Sequence, residues 1–147
     1  MKRVLVLLTL VLALAGIVSA QSTSRQTVVI SKDASLPGFN PVNIYTVYKY
    51  NPAGADFLYE GKRYNFNCVP AAVIPWENTT AILLETPDPY SIGMEYHALL
   101  EVANDSPILK AIGPVLENGE VKPPLVEYRI VARVVGYVNE MLYLSEF

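Results

Sequence analysis

Apolar and polar positions alternate through most of residues 63–146, and the alternation predicts a series of short strands rather than helices. The clearest case is Val126–Val138, where Tyr128, Ile130, Ala132 and Val134 share one face and Glu127, Arg129 and Arg133 the other. Arg63–Ile74 reads as a first strand, with Tyr64, Phe66 and Cys68 on an apolar face and Asn65 and Asn67 on a solvated one. Pro70 has no N–H to give a ladder, which predicts a bulge or an edge at that point. A turn over Pro75–Asn78 leads to a second strand, Thr79–Thr86, and Pro87-Asp88-Pro89 separates it from a third, Met94–Val102. In the third strand Tyr96, Ala98, Leu100 and Val102 face one way, and Glu95, His97 and Glu101 the other. Ser106 and Pro107 suit the cap and first position of a short helix ending near Ile112. A loop containing Gly and Pro then runs to Pro124, Val126–Val138 is the fourth strand, and Asn139-Glu140 turns into the last, Met141–Glu146.

Before residue 63 the pattern changes. Lys2 and Arg3 precede an apolar run from Val4 to Val18, which closes on the small-x-small sequence Val18-Ser19-Ala20. That is the layout of a cleavable signal peptide over residues 1–20, with Gln21 as the expected new N-terminus. The run is shorter than the roughly 20 residues of a spanning helix, so no stable membrane span is expected after cleavage. The expected location is secreted or extracytoplasmic, in the cell envelope. Residues 21–43 read as an irregular arm with one short strand near Thr27–Ile30, interrupted by Leu36-Pro37-Gly38 and Asn40-Pro41. Ile44–Tyr50 fits a strand or a short helix equally well, and Pro52 ends either element at Asn51. The expected organisation is a signal peptide, an arm and one domain over 44–147. Three strands, a helix and two further strands match a mainly β, five-stranded Greek-key barrel of the OB type, with one or two short helices, better than a seven-stranded sandwich. Its interior is expected to include Tyr64, Phe66, Tyr96, Leu100, Ile130 and Val134.

Charge and composition then narrow the chemistry. With Lys2 and Arg3 removed, nine basic residues face fourteen acidic ones, a net charge of −5. On that balance nucleic acid is not expected as a partner, because phosphate binding draws on clustered Lys and Arg. Cys68 is the single cysteine, so no internal disulfide forms, and its place in an apolar strand predicts a buried thiol. His97 is the single histidine, which leaves no His cluster for a metal. No Gly-rich phosphate loop, nucleophile elbow or haem-attachment motif occurs, so no cofactor, metal or catalytic residue is assigned. Asn78-Thr79-Thr80 and Asn104-Asp105-Ser106 are sequons, making Asn78 and Asn104 candidate glycosylation sites.

Tyr48, Asn51, Ala55, Asp56, Tyr59, Gly61 and Lys62 together resemble the entry motif of the tRNA_anti-like OB-fold family. In that family Tyr-x-x-Asn is followed by Ala-Asp and then Tyr-x-Gly-Lys before the first barrel strand. Val131–Gly136 and Leu142–Leu144 are similar to its closing strands, so the likeness extends over about residues 44–147. Two features depart from the family: Cys68 or Val69 stands where a Gly is usual, and the 113–124 segment is long. The resemblance implies an OB fold with a helix at Ile44–Tyr50, and little chemistry. The residues themselves suggest structural work, with Asp56 bonding the turn backbone and Gly61 turning the chain into the strand.

OB geometry places ligands across the second and third strands and the flanking loops. That maps to a candidate rim of Trp76, Tyr96, His97, Tyr137 and Asn139, with Trp76 the strongest candidate or, alternatively, a cover over the barrel mouth. The expected function is an exported, non-enzymatic binding or interaction module for a protein, peptide or glycan. A structural subunit that adds its arm as a strand to a neighbouring copy is the alternative. An enzyme with an unrecognised site ranks third.

Overall fold

The computed structural model of the protein describes residues 26–86, 97–122 and 126–147. In chain order the elements are β1 (Thr27–Val29), β2 (Gly38–Phe39), α1 (Pro41–Tyr50), α2 (Pro52–Tyr59), β3 (Arg63–Cys68), β4 (Pro70–Trp76), β5 (Thr79–Leu84), β6 (Ala98–Val102), α3 (Pro107–Ile112), a 3-10 turn (Gly113–Val115), β7 (Leu116–Glu117), β8 (Glu120–Val121), β9 (Glu127–Val138) and β10 (Met141–Ser145).

All the described strands join one mixed sheet in the order β2-β3-β9-β10-β6-β5-β4-β8-β7, with β1 added to β9. The protein is mainly β. β10 runs parallel to β6, while β3–β9, β9–β10, β5–β6 and β4–β5 are antiparallel. β3 and β4 lie towards opposite ends of this order yet are separated in the chain by Val69 alone. The pairing shifts register between Pro70 and Ala72, where proline can donate no ladder bond. Expected alternation fixes the interior: Phe66, Ile82, Leu84, Leu100, Ile130, Val134, Leu142 and Leu144 are at most 1% exposed. Each such side chain contributes about 1.5–3 kcal/mol through burial.

The ambiguous segment is a helix, and it begins at Pro41 rather than Ile44. Asn40 caps it: its Oδ1 accepts from Val42 N at 3.2 Å, and Asn43 Oδ1 accepts from Asn40 N at 3.1 Å. Asn51 then serves two helices at once. Its N–H closes α1 on Val47 O at 2.8 Å, and its Oδ1 accepts from Gly54 N at 3.1 Å to open α2. Pro52 forbids helical continuation through Asn51 but is well suited to the first position of α2. A side chain at Gly54 would collide with the Asn51 side chain at 2.4 Å.

Most of the entry motif is accounted for by this corner. Tyr48 and Ala55 are fully buried, and Tyr59 packs edge-on against Tyr64 and Phe39. Lys62 Nζ donates to Phe57 O and Leu58 O at 3.1 and 2.7 Å, satisfying carbonyls at the end of α2. Gly61 has φ +75°, the left-handed geometry that favours glycine, and its N–H reaches Val134 O. The expected turn bond from the Asp56 side chain is replaced: Asn51 caps α2, and the Asp56 carbonyl accepts from Glu60 N.

Two expectations are corrected. Asn65 is buried rather than solvated, because the arm folds over it. Asn65 Oδ1 accepts from Asp33 N at 2.9 Å, and its Nδ2 donates to Asp33 O and Leu36 O at 2.6 and 2.7 Å. The 113–124 segment is also more than a loop, since Asn118 and Gly119, both with positive φ, turn the β7–β8 hairpin that pairs with β4. The arm's β1 pairs in parallel with β9 of its own chain, and Ser31 Oγ accepts the next donor, Val131 N, at 2.7 Å.

Candidate functional site

Of the candidate rim residues, Trp76, His97, Tyr137 and Asn139 are described, and they lie in three different places. Tyr96 lies outside the described residues, as does Glu95. Asn139 (φ 51°) and Glu140 (φ 62°) form the exposed two-residue turn between β9 and β10, so Asn139 has a backbone role. His97 and Tyr137 are brought together, but against α1. The His97 ring stacks on Tyr45 at 4.7 Å and 9°, and Tyr137 stacks on Tyr48 at 5.4 Å and 15°. Burial is the main cause raising the Tyr48 and Tyr137 hydroxyls above the usual tyrosine range, with the Asp56 carboxylate adding to the effect at Tyr48. The Tyr48 hydroxyl is buried and has no hydrogen-bond partner. This cluster is a packed joint between helix and sheet.

Trp76 takes a different position. It ends β4, just before a turn in which Glu77 has φ 47°, and it is half-buried. Register places Trp76, Ile74 and Ala72 on the side of the sheet away from the core, with Thr79, Ala81 and Leu83 of β5, Leu99 and Glu101 of β6, and Tyr143 of β10. The Trp76 and Tyr143 rings approach to 6.4 Å at 53° across that face. Between them in the register, Ala81 and Leu99 are 0% and 3% exposed although they face away from the core. Beside the rings, Thr79 Oγ1 lies 2.9 Å from both Glu101 Oε1 and Trp76 O, two acceptors for its one proton. The face thus combines two aromatic rings, a small apolar floor and one carboxylate acceptor.

Sequence reasoning missed Tyr143, Glu101 and Thr79 as neighbours of Trp76. Alternation in the last strand does set Tyr143 opposite to Leu142 and Leu144, which was a readable signal. The parallel pairing of β10 with β6, which brings Tyr143 to this face, has no local signature.

The two sequons lie side by side. Asn104 Nδ2 donates to Asn78 O at 3.2 Å, and Thr80 Oγ1 donates to Asn104 Oδ1 at 2.7 Å. Ser106, the third residue of the second sequon, is buried as the cap of α3, donating to Glu146 Oε2 at 2.7 Å. Cys68 is 1% exposed, and burial pushes its thiol pKa well up. Among the described residues no group of three or more His, Cys, Asp or Glu is placed to hold a metal, and no helix is long and apolar enough to cross a membrane.

No family model matches the chain, and no curated protein matches it in sequence. One solved structure is similar, described as a "putative nucleic acid-binding lipoprotein" from Klebsiella pneumoniae subsp. pneumoniae MGH 78578, with 18% identity over 77% of this chain and 90% of that one, at a TM-score of 0.46. That description stands against the expectation that nucleic acid is no partner, and the expectation is corrected.

Proposed function

We propose that the protein is a binding module of OB type whose ligand lies on the outer face of β5 and β6, against Trp76 and Tyr143. What supports the barrel is the sheet order: β3 and β4, near its two ends, are halves of one stretch of chain, so the sheet can curl until its ends meet. The parallel β6–β10 pair and the position of α3 between the third and fourth barrel strands fit the same plan, as does the entry motif of the tRNA_anti-like family. The observation that carries the binding reading is the meeting of Trp76 and Tyr143 beside the Thr79–Glu101 pair. Aromatic rings stack on flat or C–H-rich ligands, and a carboxylate accepts from hydroxyl or amino groups. A neutral or cationic glycan suits both. The reading is non-enzymatic, and it includes export after cleavage behind Ala20, which N-terminal sequencing of secreted protein tests.

Trp76 is the single tryptophan, so its emission reports the face directly. Neutral oligosaccharides should shift that emission saturably. Trp76→Ala should weaken binding about tenfold or more, as one stacking contact of about 1–3 kcal/mol implies. Glu101→Gln should weaken it less. If single-stranded oligonucleotides shift the emission and sugars do not, the glycan assignment falls. If neither acts and Trp76→Ala unfolds the domain, the face is structural.

A further inference from the structure

A cavity lies elsewhere on the molecule, between the arm, the start of α1 and the outer side of β3 and β9. Its volume is about 340 Å³, and its lining includes Lys32, Asn40, Asn43, Asn65, Asn67 and Arg129. No carboxylate lines it, in a protein with more acidic than basic residues. The hydrogen bonds of the four asparagines give it a definite polarity. Every side-chain carbonyl accepts one bond from a protein donor: Asn40 Oδ1 from Val42 N, Asn43 Oδ1 from Asn40 N, Asn65 Oδ1 from Asp33 N, and Asn67 Oδ1 from Arg129 Nε at 3.0 Å. The Nδ2 of Asn65 is also spent, on two arm carbonyls. Several lining donors have no protein acceptor among the described residues. These are the amide NH₂ groups of Asn40, Asn43 and Asn67, the terminal guanidinium nitrogens of Arg129 and the Lys32 ammonium.

A cavity with five free donor groups, two of them cationic, and no carboxylate in its lining is matched by a ligand with many acceptors and negative charge. A tetrahedral oxyanion meets that description. Its oxygens can receive the planar guanidinium fork of Arg129 and the amides together, with Lys32 supplying a second charge. The volume sits at the lower end for small-molecule pockets and exceeds what one free phosphate fills. We infer that this cavity binds a phosphate monoester of sugar-phosphate size, its phosphate held by Arg129, Lys32 and the amides of Asn43 and Asn67. The site is independent of the Trp76 face: it uses the outer side of β3 and β9, and none of its residues belongs to β5, β6 or β10.

The test is a nitrogen–proton NMR titration of the exported chain, following the side-chain signals of Asn43, Asn67 and Arg129. The probes are ribose 5-phosphate, inorganic phosphate, inorganic sulfate and uncharged ribose. Ribose 5-phosphate should move those three signals saturably, at lower concentration than either inorganic ion, and ribose should move none. Lys32→Gln and Arg129→Gln should each weaken binding about tenfold, equivalent to 1.4 kcal/mol. Arg129→Gln also removes the Asn67 contact, so Lys32→Gln, at an exposed side chain, is the cleaner variant. Trp76→Ala should leave the titration unchanged, which separates this site from the proposed glycan face. The inference is overturned if no probe moves the signals by about 10 mM, far weaker than a built site gives. It is likewise overturned if chloride at equal ionic strength moves them as much, or if inorganic phosphate binds as tightly as the sugar phosphate.

Discussion

Replacing Asn65 with alanine tests how the arm is held. Asn65 is 7% exposed and makes three side-chain hydrogen bonds to the Asp33–Leu36 turn, at 2.9, 2.6 and 2.7 Å. Each such bond contributes about 0.5–1.5 kcal/mol net, and truncation leaves backbone groups of the turn without partners. Their combined loss is about 2–4 kcal/mol, a large share of the 5–15 kcal/mol that holds a typical domain. Loss of the arm's contacts and loss of the whole fold are separate events, so two measurements are needed. Urea denaturation should show the smaller part of the loss. Hydrogen exchange at the Asn65 amide, bonded to Pro37 O, and at Ile30, bonded to Arg129 O, should accelerate by about thirtyfold or more. Asn67→Ala is the control. Asn67 is half-buried and bonds only Arg129, so its loss should stay within about 1 kcal/mol. If Asn65→Ala costs under about 0.5 kcal/mol and leaves both amides protected, the turn is held by something other than this side chain.

Phe66→Ala empties a fully buried position in β3 and should cost about 3–5 kcal/mol by urea denaturation. Tyr48→Phe removes a buried hydroxyl that has no partner, so stability should stay level or rise by up to about 1 kcal/mol; a clear fall in Tm would mean that Asp56 bonds it after all. Burial raises the folded pKa of Cys68 and Tyr48 above their ordinary values of 9.0 and 10.0, so the unfolded chain releases protons first. Stability should therefore be intact below pH 9 and fall as pH rises through 9 to 10 and beyond, and a flat profile by urea denaturation would contradict the burial of both groups. Native Cys68 should also resist alkylation until the protein unfolds.

The strands were legible where one face is buried, because period-two alternation is a direct imprint of a one-sided core. Ile130 and Val134 follow it, and so does Glu127 opposite them. Asn65 was misread for the same reason. A polar residue on the outer side of a strand looks solvated in sequence, and only the return of the arm, some 30 residues earlier, converts it to a buried clamp. The Asn118-Gly119 dipeptide is a hairpin signal, although the segment around it has the length and composition of a loop. The candidate site was half legible. Trp76 could be picked by type and position, whereas Tyr143 and Glu101 reach it through pairings that sequence spacing does not encode.

The short strand β1 has a kinetic meaning as well as a structural one. β10 occupies only the Arg133–Val138 half of one edge of β9, and β1 with Ser31 covers the Glu127–Val131 half. Three residues of parallel pairing are weak cover, yet they are tethered to the edge they protect. Tethering gives such a strand an effective concentration in the millimolar range, which a separate chain must exceed to displace it. The tethered strand therefore shields this edge ahead of any strand from outside the chain. A protease cut within residues 31–37 would abolish the tether and leave β9 open to the strand of another copy.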